Sequence, residues 1–303
     1  MDSFMTAPGV DTHPDHLVLT DTPLTYHVAT YQPGVHNAAN VDEFFLWLRD
    51  ALDARGRDDM AITINFWGIG TPNGLARHVD AFGGEGNSKR GASTNWNPRI
   101  LDYRRAIAYH KPLAWANSEP NLTLDDVEQF TDLALFYGIF PTRKDEATGW
   151  ESGADQLITD TQHVLFQFAA AGWEPVTHAW TDNEAVWVER FGGSALSGTR
   201  GNFGELRGTE DTLYFTVHSA LTETVSFTLT VDTAALGIAG AERLTVAELV
   251  SGDAVPYEVR RDLVLIRGEL APLDTVVFRL EEGLVSTTVY LPLILKTYAG
   301  GGS

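Results

Sequence analysis

Cysteine is absent from this sequence, which excludes disulfides, thiolate metal sites and cysteine nucleophiles. Basic residues are scarce: 21 Lys and Arg against 41 Asp and Glu leave a formal charge of −20. Affinity for nucleic acid comes mainly from cations that neutralise phosphates, so this balance argues against nucleic acid and anionic membranes as partners and favours neutral substrates. Long apolar runs are lacking too. The late stretch Val289-Tyr-Leu-Pro-Leu-Ile-Leu295 contains Pro292 and falls far short of the ~18 residues of a membrane span. Met1-Asp2-Ser3-Phe4-Met5-Thr6-Ala7-Pro8 has neither the basic region nor the apolar core of a secretory signal.

What is present is enough apolar residue, 44%, to bury real cores, and a length of 303 residues that suggests two domains. Residues 5–40 hold Pro8, Pro14, Pro23 and Pro33 and read as a long loop. Within it His13-Pro-Asp-His16 offers part of a zinc-ligand set, but no partner motif follows, and zinc needs three or four converging ligands. Asn40 and Glu43 form a capping box for a helix whose Val41, Phe44, Phe45, Leu48 and Leu52 share one face.

Strand-like runs then alternate with helical ones. Strands are expected near 61–67, 78–83, 111–116 and 135–140, the last closed by Pro141. Between them, Asn97-Pro98 opens one helix and Thr123 caps another with Asp125 and Asp126 in its first turn. A last helix runs from about Asp155 to Ala171. Strand then helix, repeated, indicates a parallel α/β architecture. From Trp173 the texture changes to short alternating segments, from Val176–Trp180 to Thr275–Leu280, separated by turns such as Thr181-Asp-Asn183 and Ser251-Gly-Asp253. That pattern reads as an antiparallel β-sandwich. The expected division is 1–172, 173–282 and a tail at 283–303.

The stretch that stands out chemically is His78 to Pro98. Glu85 is flanked there by Gly83, Gly84 and Gly86, just past the expected strand end, and the loop beyond offers Asn87, Lys89, Arg90, Asn95 and Trp96. A carboxylate among amides, cations and an indole is an inventory for gripping a polyhydroxylated ligand. A glycine turn with no function, a core Trp and a solvated charged loop are the competing readings of the same residues.

Several segments in order resemble the C-terminal half of a (β/α)₈-barrel glycoside hydrolase with its trailing β-sandwich, α-galactosidase-like in style. They are Asp2-Ser3, Asp80-Ala-Phe-Gly-Gly-Glu85, Asp102-Tyr-Arg-Arg-Ala-Ile-Ala-Tyr-His-Lys-Pro112, Phe136-Tyr-Gly-Ile-Phe-Pro141, Gly172-Trp-Glu-Pro175 and Val188-Glu-Arg-Phe-Gly192. The resemblance implies a partial TIM barrel of the last four to five strand–helix units, with chemistry at the C-terminal strand ends. Those ends hold Asp2, Asn65 to Trp67, Glu85, Asn117 to Glu119 and Thr142-Arg143.

By the same resemblance Asp2 is the nucleophile and Glu85 the acid/base of a two-carboxylate mechanism, with Asp80 in reserve. Asn65, Trp67, Asp80, Lys89, Arg90, Asn95, Trp96 and Asn117 are the substrate-binding candidates. No cofactor is implied, and the substrate is a neutral oligo- or polysaccharide. If Asp2 ends the fourth barrel strand, the first three are missing from this chain, and self-association through the open sheet edge is expected. The alternative is a non-catalytic carbohydrate-binding or cell-surface module. Val289 to Lys296 is similar to short tails of some exported bacterial proteins, which implies the cell exterior.

Overall fold

The computed structural model describes residues 10–19, 24–27, 29–65, 78–86, 101, 105, 108, 111–145, 147–193, 212–238 and 241–282; at 36–42, 65, 85, 86, 170 and 282 the description covers the backbone alone. The chain begins with three short antiparallel strands, β1 (Val10–Asp11), β2 (Thr25–Tyr26) and β3 (Pro33–His36), in the order β1-β3-β2. Helix Asn37–Asp53 follows β3 without a loop, so it starts one turn before the expected cap, and Asn40 and Glu43 lie inside it. Its Phe45 is fully buried, and Phe44, Leu48 and Leu52 pack beside it.

Four strands then form one parallel sheet in sequential order: β4 (Thr63–Asn65), β5 (Ala81–Gly86), β6 (Leu113–Asn117) and β7 (Phe140–Arg143). Two boundaries differ from expectation. Strand β5 includes Glu85, which therefore sits within the strand's last two residues and not in the loop beyond it. The fourth strand is 140–143, with Pro141 inside it, because helix Leu124–Tyr137 carries on through Leu133 to Tyr137.

That helix misleads a sequence reading for a physical reason. Leu133, Ala134, Leu135, Phe136 and Tyr137 are all buried, since the helix end lies between two sheets and has no polar face to mark its period. On one side Phe130, Leu133, Phe136 and Tyr137 join the core of the parallel sheet. On the other, Leu135 packs with Phe191, Tyr214 and Val277 of the antiparallel part. Its start and stop are specified locally. Thr123 and Asp126 cap each other reciprocally, and Gly138, at φ 67°, ends the helix in the left-handed conformation with its N–H on the Ala134 and Leu135 carbonyls. Helix Ala154–Phe168 packs alongside and passes through a 3₁₀ turn, Ala169–Ala171, before Gly172.

The second half holds two antiparallel sheets. One has the order β13-β16-β11-β10-β8, the other β14-β15-β12-β9, where β8 is Trp173–Glu174, β9 Ala179–Thr181, β10 Val186–Phe191, β11 Thr212–Ser219, β12 Val225–Asp232, β13 Leu244–Glu248, β14 Tyr257–Arg260, β15 Leu263–Leu270 and β16 Thr275–Glu282. Phe215, Val217, Val246, Phe278 and Leu280 of the first sheet share one core with Phe227, Leu229, Val231, Val264 and Ile266 of the second. Strand β11 is buried at all eight positions. One of its faces meets that core, and the other meets helix Leu124–Tyr137, where Thr216 Oγ1 donates to the Phe136 carbonyl at 2.7 Å.

Candidate functional site at the ends of the parallel strands

Parallel pairing lines up the C-terminal ends of neighbouring strands. Asn65 pairs with Gly83, Glu85 with Ala116, Gly86 with Asn117, and Asn117 with Arg143. Strands in a sheet stand about 4.8 Å apart, so Glu85 lies on the middle of three adjacent strand ends, with Asn65 ending one neighbour and Asn117 the other.

Asn117 is wholly buried. Its Oδ1 accepts the Glu119 N–H at 3.0 Å, and its carbonyl accepts the Lys144 N–H at 3.0 Å, just past the end of β7. This Asx-type turn fixes the direction of the chain as it leaves β6. The Glu119 carbonyl in turn accepts Trp150 Nε1–H at 2.7 Å. Arg143 places its guanidinium 5.5 Å from the Trp150 ring centre and pairs with Asp155 at 3.1 Å. With Arg143 39% exposed, that ion pair adds little stability, and its effect is to orient a cation and an indole beside the strand ends. The sequence reading missed Trp150. Its local signal is weak, a Gly149-Trp150 step whose glycine has φ 77° and lies against Asn121.

The glycine just before Glu85 has a structural task. A Cβ on Gly84 would stand 2.7 Å from Cζ3 and 2.8 Å from Cε3 of Trp115, an indole only 1% exposed. Trp115 cannot swing away without opening the core. Gly84→Ala is therefore expected to cost about 1–3 kcal/mol, read as a lower urea midpoint with an unchanged slope. A Trp115→Leu background should remove most of that penalty. An unshifted midpoint in Gly84→Ala would show that the contact yields freely.

Asp80, a substrate-binding and reserve catalytic candidate, lies away from the other described candidates. It precedes β5 and so lies at the N-terminal end, five residues and about 16 Å from Glu85 at the strand rise. Its Oδ2 accepts Arg49 Nη2–H at 2.6 Å and the Ile62 N–H at 2.7 Å. Asp80 thus ties helix Asn37–Asp53 to the entry of the sheet and serves the fold. Asn65 and Glu85 are placed by their backbones, whereas Asp2, Trp67, Lys89, Arg90, Asn95 and Trp96 lie outside the described residues. Among the described residues no group of three or more His, Asp or Glu side chains is arranged to hold a metal ion. His16 Nδ1 is 2.6 Å from Asp11 Oδ2, and its ring stands 4.6 Å from that of His13, on an exposed six-residue helix.

The arrangement thus brings a carboxylate-bearing strand between two amide-bearing ones, with an indole and a guanidinium at the rim. No protein-family model matches the chain, and no curated protein matches it. Solved structures to which the chain is similar include a noncanonic maltogenic α-amylase from Thermotoga neapolitana (13% identity, 78% of this chain and 58% of that one, TM-score 0.45). An α-galactosidase I from Mortierella vinacea is similar at 10% identity, over 80% of this chain and 63% of that one, with TM-score 0.49. A GH30 endoxylanase from Clostridium papyrosolvens is similar at 14% identity, over 69% and 50%, with TM-score 0.35. The chain spans between 50% and 63% of the length of these structures.

Proposed function

We propose that the chain is a glycoside hydrolase domain acting on a neutral oligo- or polysaccharide, residues 1–172 forming the C-terminal part of a (β/α)₈ barrel and 173–282 a β-sandwich. The observation that carries this reading is the register of the parallel sheet, which sets Glu85 between the ends of the strands that carry Asn65 and Asn117. In barrel enzymes that end of the sheet is where chemistry is placed. A net charge of −20 fits an uncharged substrate.

In the proposed reaction Glu85 gives its proton to the glycosidic oxygen as the C–O bond breaks, and the Asp2 carboxylate forms a bond to the anomeric carbon. Water then attacks that carbon, passing its proton to Glu85 and returning the carboxylate of Asp2. Such retaining pairs stand about 5–5.5 Å apart, against about 6.5–9.5 Å in inverting ones.

The test is release of nitrophenol from a panel of α- and β-nitrophenyl galactosides, glucosides and xylosides. One member should be cleaved, and Asp2→Asn should abolish that cleavage. Azide added to Asp2→Asn should restore release and yield a glycosyl azide of inverted configuration. A chain that cleaves none of the panel, or an Asp2→Asn variant at full rate, would overturn the reading.

A further inference from the structure

The outer face of the β14-β15-β12-β9 sheet carries a second feature, far along the chain from the strand ends just described. Cross-strand register places Trp180, Thr230, Leu265 and Glu258 in one row across all four strands, and Thr228 opposite Arg267 in the next. Paired residues share a face, and alternate residues of a strand do too, so Trp180, Asp182, Ser226, Thr228, Arg267 and Glu269 all belong to this outer side. Its inner counterpart, Phe227, is buried and folds beneath Gly268, where a Cβ would stand 2.6 Å from the ring. Above that floor lies an open groove of about 430 Å³ lined by Asp182, Ser226, Thr228, Arg267 and Glu269.

Trp180 is 48% exposed. By the spacing of a sheet it stands diagonally about 7–8 Å from Thr228, on the same face as the groove and next to the residues that line it. The polar groups around it are held in place. Asp182 Oδ1 accepts the Thr228 N–H at 2.7 Å, the main cause of its lowered pKa, so the carboxylate stays ionised. Arg267 Nη2–H donates to Glu258 at 3.1 Å, and the same carboxylate holds Arg260 through two further bonds, at 2.6 and 3.0 Å. Groups fixed before binding lose less entropy on binding.

We infer that this groove, with Trp180 at its edge, is a binding site for a neutral glycan, independent of whether the chain hydrolyses one. The indole offers a flat apolar surface for the C–H face of a sugar ring, and the planar carboxylates and guanidinium beside it suit vicinal hydroxyls. An anionic occupant would meet Asp182, Glu258 and Glu269 on a protein of charge −20. A second copy of the chain is disfavoured because the two rows offer only Trp180 and Leu265 as apolar side chains, whereas dimer interfaces are about 65% apolar.

Native electrophoresis of the full chain through gels containing galactomannan, amylopectin or xylan tests this. At least one polysaccharide should retard the wild type. Trp180→Ala should weaken that association about tenfold or more, as loss of an anchoring aromatic does, and Trp180→Phe should recover most of it. Arg267→Gln, a change at an exposed position, should weaken it independently. The inference is overturned if none of the three gels retards the wild type, or if Trp180→Ala is retarded equally. It also fails if Trp180→Ala instead converts a sugar-independent dimer to monomer in sedimentation.

Discussion

Glu85→Gln is expected to lower turnover of a glycoside with a poor leaving group, such as an alkyl glycoside, by about 10²–10⁴-fold, the usual contribution of a positioned general acid. The glutamine keeps the shape of the side chain but has no proton to give to the departing oxygen. A dinitrophenyl glycoside should respond differently, because dinitrophenolate leaves without protonation. Its first step should survive, while attack by water, now without a base, becomes slow. A burst of dinitrophenol followed by a slow steady rate is the expected trace, and azide, which needs no base, should raise the steady rate. A purely structural role for Glu85, in strand β5 beside the tightly packed Gly84, would depress both substrates equally and leave azide without effect. That pattern would sink the assignment of Glu85 while leaving Asp2 to be judged on its own test.

The largest effect on stability is expected at Glu189. Its Oε1 accepts Arg105 Nη2–H at 2.9 Å, and its Oε2 accepts Trp173 Nε1–H at 2.7 Å. The Arg105 side chain is 4% exposed and that of Glu189 17%, and the guanidinium lies 4.2 Å from the Trp173 ring and 5.0 Å from that of Tyr137. Glu189→Ala removes the anion and leaves a buried cation and an indole N–H without that acceptor. Removing one partner of a buried pair costs about 3–5 kcal/mol, visible as a large fall in the urea midpoint. Arg105→Met should cost clearly less, since it removes the buried cation itself and Glu189 keeps both the Trp173 donor and some solvent. An Arg105→Met variant as unstable as Glu189→Ala would mean that packing of the arginine stem against the two rings, and not the charge, dominates.

This pair also shows how the two halves of the chain are held together. Arg105 and Glu189 are 84 residues apart, and Thr275 Oγ1 reaches the Asp132 carbonyl at 2.9 Å across 143. No local pattern around Val188-Glu-Arg-Phe-Gly192 distinguishes Glu189 from a solvated strand carboxylate, because its partner is defined only once the sheets are stacked.

Local chemistry made several features of this protein legible in the sequence itself. Thr123 with Asp126 writes a helix start through backbone N–H groups only three residues away, and alternation in Val225–Asp232 writes a strand with one wet face, as its burial pattern confirms. The change from strand–helix units to alternating strands near Trp173 is of the same kind, since it depends on side-chain period alone. Tertiary structure decided the rest. Leu135 to Tyr137 became helix and not strand because two sheets cover it from opposite sides and erase its period. Asp80 was tied to Arg49, 31 residues away, at the N-terminal end of β5. Glu85 was drawn into β5, and Gly84 was required there because Trp115 from the neighbouring strand fills the space of its missing Cβ. A sequence specifies what a residue can do with its neighbours along the chain, and only close packing decides which distant partner takes up its charge, its hydrogen bond or its empty volume.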